Sequence, residues 1–180
     1  MGVVALGEIG DKTQLLALML AARFRKPLPI IAGITAATLA NHALAGAIGS
    51  LLRATLSPDA LRWGVALSFF AVALWALKPD SLDDGAPQAA SPWGVFGVTV
   101  VAFFLAEVGD KTQIATMVLA ARFDQLLAVI LGTTLGMLIA DVPVVLIGRS
   151  AAARIPFKGV RIATAIAFVA LGVFALLAPV

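Results

Sequence analysis

Apolar residues come in long blocks along this chain, and polar residues collect in the gaps between them. The blocks run over 2–22, 28–52, 61–77, 93–121, 126–148 and 160–178. Each is long enough to cross a hydrocarbon layer of about 30 Å as a helix. The pattern therefore predicts an all-α integral membrane protein with six transmembrane helices. The gaps carry turn chemistry: RFRKPLP follows the first block and SPD precedes the third. The longest gap, KPDSLDDGAPQAASP, is rich in Pro, Ala, Ser and Asp and reads as an exposed linker at 78–92. It divides the chain into a first unit at 1–77 and a second at 93–180.

Composition agrees with the pattern. Of 180 residues, 61% are hydrophobic and 13% charged, and mean hydropathy is +1.03. Soluble domains are about half apolar and about a quarter charged. The first block lacks a basic leader and carries acids in its middle, unlike a cleaved signal peptide. There is no cysteine, which excludes disulfides and thiolate metal sites. A net charge of +3 does not point to nucleic acid, because the basic residues sit at block ends. Arg23, Arg25, Lys26, Lys78, Arg149, Arg154, Lys158 and Arg161 fall on one side, and Arg53, Arg62 and Arg122 on the other. The excess places the central linker in the cytoplasm and both termini outside. Trp63, Trp75 and Trp93 fall near block ends, as interfacial anchors do.

Two blocks break the apolar rule in the same way. At an offset of 99, EIGDKTQLLALMLAARF (8–24) faces EVGDKTQIATMVLAARF (107–123), with eleven of seventeen positions identical. The register continues through Gly33 and Gly132, Thr35 and Thr134, and Leu39 and Leu138. The whole unit of three blocks is therefore repeated. An odd number of spans per unit makes the second enter the membrane inverted, the plan of many secondary transporters.

The repeated motif supplies hard oxygen donors. On a continuous helix Glu8, Asp11 and Gln14 share a face, as do Glu107, Asp110 and Gln113. Together the two copies offer four carboxylates and two amide oxygens, with the hydroxyls of Thr13 and Thr112 beside them. Such a set suits Mn²⁺, Ca²⁺ or Mg²⁺. Gly10 and Gly109 permit either close helix approach or a local unwinding. One charged side chain at mid-membrane costs about 2.5–3.5 kcal/mol even on the lenient scale. Four carboxylates therefore need a divalent cation or protons, and competition between the two yields antiport. Lys12 and Lys111 follow each glutamate at salt-bridge spacing, as counter-charges for a metal to displace.

Other polar positions are weaker signals. Asn41, His42 and Asp141, the last repeat-related to His42, read either as a proton relay or as residues bonded to a neighbouring helix. Thr35, Thr38, Thr116, Thr133 and Thr134 are expected to bond back to their own helices. Pro143 is expected to kink its helix. Seven residues precede Glu8 where about fourteen apolar ones precede Glu107, so a shallower Glu8 and imperfect symmetry are expected.

The doubled E-x-G-D-K-T-Q signature resembles a family of small cation/proton antiporters. That family includes the Golgi manganese and calcium transporters of eukaryotes, chloroplast manganese transporters and bacterial manganese exporters of the MneA type. The resemblance spans essentially the whole chain. It implies a six-helix core of two inverted three-helix repeats, exchanging Mn²⁺ or Ca²⁺ for protons, with Glu8, Asp11, Glu107 and Asp110 as essential acids. It also implies manganese export across a bacterial inner membrane, with the cation as substrate and no resident cofactor. A passive cation channel and an exporter of another small solute remain as alternatives. A metalloenzyme is disfavoured, since no HExxH occurs and His42 is the lone histidine. A structural role for the acids would leave Asp11→Asn and Asp110→Asn functional.

Overall fold

The computed structural model describes residues 1–78, 94–147 and 157–177. Most of the central linker, Trp93, Arg149 and Arg154, and the side chains of Lys158 and Arg161, lie outside the described residues. Regular structure among the described residues is helical throughout. The helices are α1 (Gly2–Glu8), α2 (Lys12–Phe24), α3 (Pro27–Thr55), α4 (Pro58–Ala76), α5 (Gly94–Glu107), α6 (Lys111–Arg122), α7 (Leu126–Ile147) and α8 (Phe157–Leu177).

Four of the six blocks are single helices close to their expected bounds. The turn residues explain where they begin. Pro27 and Pro58 open α3 and α4 at positions where a missing N–H costs nothing. Ser57 caps α4 by accepting from the Ala60 N–H at 3.4 Å. Arg25 closes α2 in the left-handed region at φ 52°, its N–H bonded to the Ala21 carbonyl. Pro143 lies inside α7 without interrupting it. The other two blocks, 2–22 and 93–121, are not continuous helices. Each is broken at the repeated motif, giving α1–α2 and α5–α6.

By length and composition, α3, α4 and α7 can each cross a membrane, while α5 and residues 162–177 form shorter apolar helices. The outward faces carry Leu44, Leu51, Leu67, Leu74, Leu131 and Ile139, all exposed. The inside holds buried charge, including Glu8, Asp11, Glu107, Asp110, Lys111 and Asp141. That is the reverse of a soluble protein and is what lipid imposes.

Packing interlocks the two parts of the chain. The long helix α3 lies against α5 and α6, whereas α7 lies against α1 and α2. Each long helix thus supports the broken helix of the other unit. Leu16, Leu20, Ile30, Ile34, Val98 and Phe103 fill one core between α2, α3 and α5. Phe69 of α4 and Phe168 of α8 stack at 6.1 Å in the other. At Gly49 α3 comes so close to α6 that a methyl group would run into the Met117 carbonyl and the Ala120 side chain. The far ends of α3 and α6 are joined by Arg53, which donates to the Arg122 carbonyl at 3.3 Å and faces Asp124 at 3.8 Å.

A candidate cation site between two broken helices

The motif E-x-G-D spells a turn. Ile9 has φ −66° and ψ 113°, Gly10 has φ 82°, and the Asp11 N–H bonds the Glu8 carbonyl at 3.0 Å. These are the angles of a type II β-turn, which requires positive φ at its third residue and hence glycine. The second copy repeats it, with Gly109 at φ 76° and the Asp110 N–H on the Glu107 carbonyl at 3.0 Å. No atom lies within 4 Å of where a Gly109 Cβ would stand, so this glycine serves backbone conformation and not space. Of the two roles open to these glycines, unwinding is the one observed.

The turn changes where the acids point. Glu8 and Glu107 end α1 and α5, while Asp11 and Asp110 are the N-caps of α2 and α6. An aspartate there faces the positive end of the helix dipole. Asp110 also accepts from the Thr112 N–H and hydroxyl, both at 3.4 Å. All four acids are buried. Glu8, Asp11 and Asp110 each offer an oxygen, and the three lie within 4.8 Å of one another. Oxygens on opposite sides of a Ca²⁺-sized ion stand about 5 Å apart, so the triangle fits one hard divalent cation.

The lysines cross between the copies. Lys111 Nζ lies 2.8 Å from Asp11 Oδ1, and Lys12 Nζ lies 3.2 Å from Asp110 Oδ1. The expected pairing along one helix, Lys12 with Glu8 and Lys111 with Glu107, is therefore corrected. The break removes the helical register that would bring those residues together. The two pairs differ in exposure. The Lys111 side chain is 4% exposed and that of Lys12 26%.

The two glutamates also differ. Glu8 accepts at Oε2 from the Thr13 hydroxyl, 2.6 Å away, and its Oε1 has no hydrogen-bond donor. Glu107 accepts at both oxygens, from Thr38 at 2.6 Å and Asn41 at 2.9 Å. Thr38 thus reaches α5, and Thr134 approaches His42 Nδ1 at 3.3 Å, so neither bonds back to its own helix. Thr35, Thr116 and Thr133 do bond back, as expected.

Gln14 and Gln113 brace the turns. Their Oε1 atoms accept from the Gly10 and Gly109 N–H groups at 2.8 and 2.7 Å. Their amides reach across to the Ala140 carbonyl at 3.1 Å and to Asn41 Oδ1 at 3.4 Å. Ala140 and Asn41 are repeat-related positions, so each brace reaches the matching place on the facing helix, a backbone carbonyl in one copy and a side-chain amide oxygen in the other. Asp141 is fully buried, has no hydrogen-bond partner at either oxygen, and lies within electrostatic reach of Glu8, Asp11 and Glu107. His42 is buried beside Thr134.

Residues 1–84 and 95–180 match the family described as "Divalent cation/proton antiporter GDT1". A protein of Vibrio cholerae named "Putative manganese exporter" is 56% identical over 163 residues, covering 90% of this chain and 80% of that one. A GDT1-like protein of Synechocystis is 29% identical, covering 89% and 86%. GDT1-like protein 5 of Arabidopsis thaliana is 26% identical, covering 97% and 92%. No solved structure matches the chain. With both motif copies inside the matched residues, this chain belongs to the GDT1 family of divalent cation/proton antiporters.

Proposed function

We propose that this protein exports Mn²⁺ from the cytoplasm in exchange for protons, binding the ion between its two broken helices. The observation that carries the reading is the convergence of Glu8, Asp11 and Asp110, from both motif copies, within 4.8 Å. Charge explains the exchange. Five buried carboxylates, Glu8, Asp11, Glu107, Asp110 and Asp141, face two lysines, Lys12 and Lys111, leaving three negative charges uncompensated. A divalent cation cancels two. When it leaves, protons must take its place, since bare charge of that size is not sustained in lipid. Asp141, with no donor of its own, is the natural carrier for one of them.

The incoming ion displaces the ammonium groups from Asp11 and Asp110, and their return helps expel it. Alternation between two access states follows if residues 1–77 and 93–180 are inverted three-span repeats rocking about the site. The membrane is then the inner membrane of a bacterium, with the linker at 78–92 cytoplasmic and both termini outside. All-oxygen donors also accommodate Ca²⁺, and the named function of the Vibrio cholerae relative favours manganese.

The test is ion flux in proteoliposomes under an imposed pH gradient, comparing Mn²⁺, Ca²⁺ and Mg²⁺. Mn²⁺ movement should follow the proton gradient and vanish in Asp11→Asn. Flux indifferent to the gradient would identify a passive pore, and full flux in Asp11→Asn would remove the acids from the mechanism.

A further inference from the structure

The repeat is nearly symmetric in its turns and braces, yet not in what faces the two glutamates. In α3, Thr38 and Asn41 stand one turn apart and donate to the two oxygens of Glu107 at 2.6 and 2.9 Å. The matching positions in α7 are Met137 and Ala140, whose side chains carry no hydrogen-bond donor. Glu8 accordingly takes its one bond from Thr13, five residues along its own chain, and keeps Oε1 without a donor. It is Glu8, not Glu107, whose oxygen joins the compact triangle with Asp11 and Asp110.

Asn41 is oriented for this work. Its Oδ1 accepts from Gln113 at 3.4 Å, and its Nδ2 donates to the Phe104 carbonyl at 3.1 Å as well as to Glu107. Each polar atom of the amide has a partner, so a flipped amide would face donor to donor. Thr38 also lies 3.0 Å from the Met137 sulfur, which fills the space on its other side. Thr38, Asn41, Met137 and Glu107 are all buried. Holding a carboxylate by two such bonds in a dry site fixes its position.

We propose that Thr38 and Asn41 are positioning residues that clamp Glu107 out of the ion's ligand set, so that the two motif glutamates do different jobs. Glu8 binds the ion. Glu107 stays fixed to α3 and couples the broken helix α5–α6 to the long helix it must move with. This deepens the proposed function and rests on the cation site described there.

Mn²⁺ binding to purified, detergent-solubilised protein separates the roles, measured beside Mn²⁺ transport in proteoliposomes. Glu8→Gln should weaken Mn²⁺ binding at least 30-fold, whereas Glu107→Gln should change it less than about 3-fold while slowing transport. Thr38→Val, which keeps shape and removes the hydroxyl, should lower maximal transport at least 5-fold with KM within about 2-fold. Thr38→Ser should restore the rate. Building the clamp on the other side, with Met137→Thr and Ala140→Asn together, should draw Glu8 away and weaken Mn²⁺ binding about 10-fold or more. Equal losses of binding in Glu8→Gln and Glu107→Gln would overturn the proposal alone. So would a Thr38→Val transporter with wild-type rate, or one that Thr38→Ser does not rescue. No loss of binding in either glutamate variant would overturn both the proposal and the cation site beneath it.

Discussion

Replacing Lys111 by methionine is the sharpest test of how the acids are held without metal. The ammonium lies 2.8 Å from Asp11, and the two side chains are 4% and 0% exposed. Removing one partner of a buried pair costs about 3–5 kcal/mol, because the remaining charge stays buried. The lower end applies here, since Asp11 also sits at the N-terminus of α2 and retains that favourable field. For a chain of this length about 3 kcal/mol lowers the melting temperature by roughly 6–12 °C. A bound Mn²⁺ would compensate Asp11 in place of the lysine, so most of the loss should disappear at saturating metal. The thermodynamic cycle then requires tighter binding. With about 1.4 kcal/mol per tenfold, Mn²⁺ affinity should rise about 100-fold. Lys12→Met provides the internal comparison. Its pair is longer, at 3.2 Å, the lysine is 26% exposed, and Asp110 keeps the Thr112 N–H and hydroxyl, so the effect should be clearly smaller than in Lys111→Met. Thermal melting with and without Mn²⁺, together with calorimetric titration, reads all four quantities. A Lys111→Met protein that melts like wild type without metal, or binds Mn²⁺ more weakly, refutes the reasoning.

Two further outcomes follow from the turn. Gly109→Ala should destabilise by about 1–2 kcal/mol from the left-handed backbone alone, and Gly109→Asn by less, because nothing crowds the position; melting of the two variants checks the order. Gln14→Leu should cost about 1–3 kcal/mol by leaving the Gly10 N–H without its acceptor, and Gln14→Glu should not recover that loss, since it sets a further carboxylate among buried acids and turns an acceptor toward the Ala140 carbonyl; the same melting experiment checks both.

Much of this molecule was legible before any coordinates. Block length and hydropathy located the helices, because lipid demands about twenty apolar residues per crossing and tolerates little else. The offset of 99 located the repeat and, within it, the acids that meet. The turn was half visible: glycine between two acids admitted unwinding, but a hydropathy pattern cannot separate a type II turn from a tight helix contact. Reading E-x-G-D as turn chemistry was the signal that would have decided it.

Partner choice was beyond the sequence. Spacing paired Lys12 with Glu8, whereas the fold pairs it with Asp110, 98 positions away, because the break turns each motif toward its copy. Spacing bonds Thr38 back to its own helix, whereas it donates to Glu107; Asn41, open to a relay or to a bond with a neighbouring helix, donates to the same carboxylate. Local pattern determines what a helix is. Which buried charge meets which is settled by elements that approach only after folding, where a carboxylate takes whatever donor the facing helix presents. In α3 that helix presents two, and in α7 the side chains at the matching positions present none.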